Sequence, residues 1–93
     1  MTLNAIRNQL VTILDGYPLK KVAVYGSYAR GEASPQSDLD ILVETSRTVS
    51  LFDILKLEAI IKEKLNVKAD IVEYSAIKPS LRDRILAEAI VII

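Results

Sequence analysis

Apolar residues recur along this chain with two different periods, and the changes between them divide it into alternating helices and strands. Leu3, Ile6, Leu10, Ile13 and Leu14 form a helical stripe over Thr2 to Asp15, with Thr2 suited to cap its start and Gly16 just past its end. After Tyr17 and Pro18, the valine-rich run Lys20 to Tyr25 predicts a short buried strand. Gly26 and Ser27 then open a brief helical turn that Gly31 closes, and the loop from Glu32 to Ser37 bends at Ser34 and Pro35. In the next run, Asp38 to Glu44, strand alternation sets Asp38, Asp40 and Leu42 on one face and Leu39, Ile41 and Val43 on the other.

Ser50 to Leu65 predicts an amphipathic helix, opened by Ser50 and Asp53 at capping-box spacing and stopped at Asn66. Its inward residues are expected to be Leu51, Leu55, Ile61 and Leu65. Val67 to Tyr74 is rich in strand formers and is interrupted by Asp70, so a third strand is expected there. A second capping-box pair, Ser80 and Asp83, follows Pro79 and opens a final helix to about Ala87. The closing Ile90 to Ile93 suits an edge strand or a continuation of that helix. This order predicts an α/β fold, a small mixed β-sheet flanked by helices, in which the short connection between the first two strands makes them antiparallel. At 93 residues, with no repeat or linker, a single domain over 1–93 is expected.

Composition narrows the chemistry. With 51% hydrophobic and 26% charged residues, the chain can bury a core and keep a charged surface, so disorder is not expected. Twelve basic and twelve acidic side chains cancel, which argues against a broad footprint for duplex nucleic acid and for a nucleotide or protein partner. Cysteine and histidine are both absent, which removes disulfides, the usual zinc sites and histidine-based triads, so any metal must bind oxygen. Nothing resembles a signal segment or a membrane span, and a cytoplasmic location is expected.

The candidate chemistry lies between Val22 and Glu44. Gly26 lacks a Cβ and lets backbone approach a ligand closely; the turn after it offers unpaired amides, and Ser27 adds a hydroxyl. A Gly-Ser pair alone is equally an ordinary strand-to-helix turn. Asp38 and Asp40 carry more weight, because two-residue spacing on a strand sets them roughly 6 to 7 Å apart on one face. At an effective dielectric near 20 their repulsion is about 2 to 3 kcal/mol, which a divalent cation would reverse. A solvated sheet edge is the alternative. Asp70, on a third strand of the same sheet, can converge on the pair as a further oxygen ligand. Arg30 either meets a phosphate or lies on the surface, and Ser37 caps or braces the second strand.

As a whole, GSYARGEASPQSDLD resembles the signature of the minimal nucleotidyltransferases of the DNA polymerase β superfamily. The matching residues are Gly26, Ser27, Ala29, Arg30, Gly31, Ser37, Asp38 and Asp40, with Asp70 in KADIVEY at the third acidic position, and the similarity extends over nearly the whole chain. The resemblance implies a polymerase β palm-like fold and transfer of AMP from ATP. It implies that Gly26 and Ser27 hold the terminal phosphates, with Arg30 and Ser37 at the nucleotide site. Asp38 and Asp40 would bridge two Mg²⁺ ions, and Asp70 would bind one of them and accept the proton of the incoming hydroxyl. Larger superfamily members carry further domains for base or acceptor, for which a chain of this length is not expected to have room. Family members of this size pair with HEPN-domain toxins as antitoxins that adenylylate them, typically on tyrosine, so a HEPN-type partner is expected. The alternatives are a non-catalytic antitoxin that masks a HEPN ribonuclease sterically and, ranked last, transfer to a small molecule as in related antibiotic-modifying enzymes.

Overall fold

In the computed structural model, which describes residues 2–93, the chain begins with helix α1 (Leu3–Ile13), strand β1 (Leu19–Tyr25), the one-turn helix α2 (Ser27–Arg30) and strand β2 (Leu39–Thr45). Helix α3 (Leu51–Leu65), strand β3 (Ala69–Glu73), a 3-10 turn (Tyr74–Ala76), helix α4 (Pro79–Glu88) and strand β4 (Ile90–Val91) follow. The expected alternation is therefore present. The strands form one sheet in the order β3-β2-β1-β4. β1 runs antiparallel to β2, as the short connection requires, whereas β2 and β3 are parallel and joined through α3, so the sheet is mixed. The choice left open at the C-terminus resolves as a strand, with Ile90 and Val91 pairing antiparallel to Val24 and Ala23 at the sheet edge.

The two faces of the sheet are covered unequally. On one face Val22, Val24, Leu39, Ile41, Val43 and Ile71 pack with Ile6, Leu10 and Leu14 of α1 and with Leu57, Ile61 and Leu65 of α3. On the other, a smaller cluster of Ala23, Leu42, Ile77 and Ile85 lies under α4. Strand alternation thus sends the large core to one side and leaves the side carrying Asp40 only partly roofed.

Two expectations about the helices are corrected. Leu51 and Leu55 do not face inward; they are 73% and 53% exposed, and the buried stripe of α3 is Leu57, Ile61 and Leu65 with Ile54 partly buried. At about 100° per residue, Leu55 is turned roughly 120° around the axis from Ile61, too far to reach the same core. Ser80 and Asp83 form no capping box either. The helix begins at Pro79 after Lys78, with no side-chain cap, because proline's fixed φ and missing N–H suit the first helical position and draw Ser80 inside the first turn.

The α3 capping box is real: Ser50 Oγ accepts from Asp53 N–H at 3.1 Å, and Asp53 Oδ2 accepts from Ser50 N–H at 3.3 Å. Ser50→Ala should lower stability by about 1 kcal/mol. A urea titration would read this as a lower midpoint at unchanged slope, and an unmoved midpoint would show the box to be energetically idle.

Candidate active site

Strand pairing brings two of the candidate acids and Tyr25 to one end of the sheet. Tyr25, at the end of β1, pairs with Asp40 near the start of β2, and Asp40 pairs with Asp70 on β3. Residues directly opposite in a sheet share a face, so Tyr25, Asp40 and Asp70 form one rung across three strands. Asp70 is thereby on the same side as Asp40, as a shared role requires. Asp38, one residue ahead of β2, opens onto the same cleft as Asp40 but also leans toward Lys68, whose Nζ lies 3.9 Å from its Oδ2.

That cleft, of about 460 Å³, is lined by Gly26, Ser27, Arg30, Ser37, Asp38 and Asp40. A larger groove of about 530 Å³ lies between the Gly16–Leu19 turn and α3, but its one acid, Asp53, is engaged in the Ser50 capping box. The smaller cleft is where the acids gather, and chemistry rather than size selects it. Gly26 adopts φ +74° and ψ −152°, a conformation accessible essentially to glycine alone, and a Cβ there would run into the Asp40 carboxylate. The backbone is thus pressed against an acid at the point where β1 turns into α2. Ser37 braces the loop before β2, its Oγ accepting from Ser34 N–H at 2.9 Å. Arg30 is not free: its Nε donates to Glu32 at 2.6 Å and its Nη1 to Glu88 at 3.0 Å, which raises its already high pKa further.

Negative charge accumulates around Asp40. Burial, and then repulsion from Asp70 and Asp38, push its carboxyl above the usual aspartate range, with Glu88 adding to the rise and Arg30 partly offsetting it. Burial also pushes the Tyr25 hydroxyl up to about 12, helped by Asp40, Asp70 and Glu88. A half-buried carboxylate repelled by its neighbours, among oxygen donors only, fits a hard divalent cation. Among the described residues no three acids stand close enough together to form a ready-made cage, and Asp38 is engaged with Lys68.

Residues 4–92 match the model of the nucleotidyltransferase domain family. The chain belongs to that family. The nucleotidyltransferase is 40% identical over 90 residues to a Methanocaldococcus jannaschii protein provisionally named a protein adenylyltransferase, covering 97% of both chains. It superposes on a solved structure provisionally described as a minimal nucleotidyltransferase with a TM-score of 0.80 and 36% identity, over 97% of this chain and 95% of the other. It also shares its fold with a chain in the complex of a tri-AMPylated Shewanella oneidensis HEPN toxin with an MNT antitoxin, at TM-score 0.76 and 17% identity, over 97% of this chain and 71% of that one.

Sequence reasoning about the nucleotidyltransferase missed its fourth wall. Leu81, Arg84, Ile85 and Glu88 of α4 also line the cleft. Their spacing of three, four and seven residues marks one helical face, a signal present in the sequence that by itself does not say which part of the fold that face meets. Tyr25 likewise carries no signal in the sequence beyond ending a strand.

Proposed function

We propose that this nucleotidyltransferase transfers AMP from ATP to a hydroxyl, a tyrosine's by resemblance, on a HEPN-type toxin protein, and so acts as its antitoxin in the cytoplasm. The observation that carries the reading is the rung of Asp40 and Asp70 beside the Gly26 turn, with Asp38 on the same cleft. The protein-adenylyltransferase name of the M. jannaschii relative and the AMPylated toxin in the S. oneidensis complex support the acceptor class. Asp38, Asp40 and Asp70 would hold two Mg²⁺ ions, which supply charge neutralisation at phosphate and a more acidic acceptor hydroxyl.

The roles of the chain's own residues follow from their chemistry. Gly26 admits phosphate close to the backbone, Ser27 donates its hydroxyl to a phosphate oxygen, and Arg30 contributes positive charge. Ser37 keeps the preceding loop shaped around Asp38. The acceptor oxygen bonds to the α-phosphorus while the bond from that phosphorus to the oxygen bridging the β-phosphate breaks. Pyrophosphate leaves, and Asp70 takes the acceptor's proton; its exposure on the rung supports that role. Among the described residues no helix is long and apolar enough to cross a membrane.

The test is intact-mass measurement of a HEPN-type protein encoded beside this chain, incubated with it, ATP and Mg²⁺. The partner should gain AMP, and Asp40→Ala should bind the partner yet add nothing. If no adduct forms and Asp40→Ala neutralises the toxin as fully as the parent chain, steric masking replaces transfer as the function.

A further inference from the structure

The groups proposed to meet the nucleotide's phosphates, the Gly26 turn and Arg30, are already engaged by an anion belonging to the chain itself. Glu88, 62 positions after Gly26 and last in α4, accepts from Gly26 N–H on Oε1 at 3.1 Å and from Arg30 Nη1 on Oε2 at 3.0 Å. One carboxylate oxygen is therefore on a backbone amide and the other on a guanidinium, the kinds of donor that hold a phosphate group. The Glu88 side chain is 19% exposed, enclosed more than the Arg30 side chain at 47%. It also faces Asp40 and Tyr25, so it adds negative charge to a cleft that already holds Asp38 and Asp40. Local charge balance does not call for a further acid there; the two donors do.

We infer that Glu88 is a resident anion in the phosphate subsite, one that competes with the nucleotide's phosphates for Gly26 and Arg30 and is displaced when nucleotide binds. This rests on the nucleotide reading above and adds to it a built-in brake on occupancy. Release needs only rotation about the side chain's own bonds, because both contacts are made by its terminal carboxylate oxygens. After release Arg30 keeps its contact with Glu32. The competing role is a brace, in which Glu88 holds the turn in the shape that binds phosphate. The two differ in sign: removing a competitor tightens binding, and removing a brace weakens it.

Calorimetric titration of the wild-type chain and Glu88→Gln, each with ATP and with tripolyphosphate in the presence of Mg²⁺, separates them. The variant keeps the size of the side chain and removes its charge, and it should bind both anions about tenfold more tightly, the scale of one charge-assisted contact. Equal or weaker binding by a folded Glu88→Gln protein overturns the inference, and leaves the nucleotide reading standing where wild type binds ATP. Tighter tripolyphosphate binding with no ATP binding by either protein keeps Glu88 as a competitor of phosphate for Gly26 and Arg30 and overturns the nucleotide reading. No binding of either anion by either protein overturns both. Should the variant fail to fold, ¹³C-labelled wild-type chain answers the same question: the Glu88 carboxylate resonance should move on adding tripolyphosphate, and a resonance that stays still at saturation sinks the proposal.

Discussion

Asp40→Asn is expected to raise the melting temperature of the metal-free protein at neutral pH while lowering nucleotide transfer roughly a thousandfold, equivalent to about 4 kcal/mol of transition-state stabilisation. The two effects have one origin. In the folded chain burial and the Asp70 and Asp38 charges hold the Asp40 carboxyl above its ordinary pKa, with Glu88 acting in the same direction and Arg30 against it. Between the unfolded and folded values the native state therefore binds more protons than the unfolded one, so stability falls as pH rises through that window and stays lower above it. Asparagine carries no charge and abolishes that fall. Melting curves across the acidic range should show the wild-type chain losing stability where the variant does not, with the variant the more stable at neutral pH. Mg²⁺ with ATP should then stabilise wild type and leave the variant unmoved. An equal shift for both proteins would remove Asp40 from the metal site. Asp38 is the poorer target for this experiment, since its side chain is half exposed and leans on Lys68.

Gly26→Ala should cost about 1 to 3 kcal/mol of stability from backbone strain alone. For a chain of this size each kcal/mol corresponds to about 4 to 8 °C in melting temperature. A methyl group at φ +74° and ψ −152° meets its own backbone, and it also reaches the Asp40 carboxylate. The second conflict can be relieved by moving Asp40, which is where function is lost; the first cannot. The two separate in a double substitution. With Asp40→Ala in place the carboxylate is gone and only an ordinary contact to the Asp40 Cβ remains, at 3.5 Å, so most of the stability penalty of Gly26→Ala should persist. A penalty that vanished in that background would assign the whole effect to the side-chain clash and none to the backbone.

Much of this was written locally in the chain. The stripe of Ile6, Leu10 and Leu14, the valine run of β1 and the alternation from Asp38 to Val43 each report an element through its own period, and the short loop between the first two strands sets them antiparallel. Alternation also put Asp38 and Asp40 on the face away from the large core, before any packing was known. Even so, a stripe read from a handful of leucines is loose by a third of a turn, which is how Leu51 and Leu55 were assigned to a core they do not reach.

What the tertiary structure decided are the contacts between distant positions. The pairing of Asp40 with Asp70 depends on the register of two parallel strands joined through α3, and a one-residue slip would have sent Asp70 to the opposite face. The contact of Glu88 with Gly26 and Arg30 spans 62 and 58 positions and depends on where α4 crosses the thinly covered face. Periodicity describes how a segment presents its sides and carries no term for which other segment arrives there. The sequence by itself therefore determined the elements, the acids' face and the family signature; packing decided that Asp40 bears the repulsion, that Asp38 is shared with Lys68, and that a carboxylate from the last helix sits on the glycine turn.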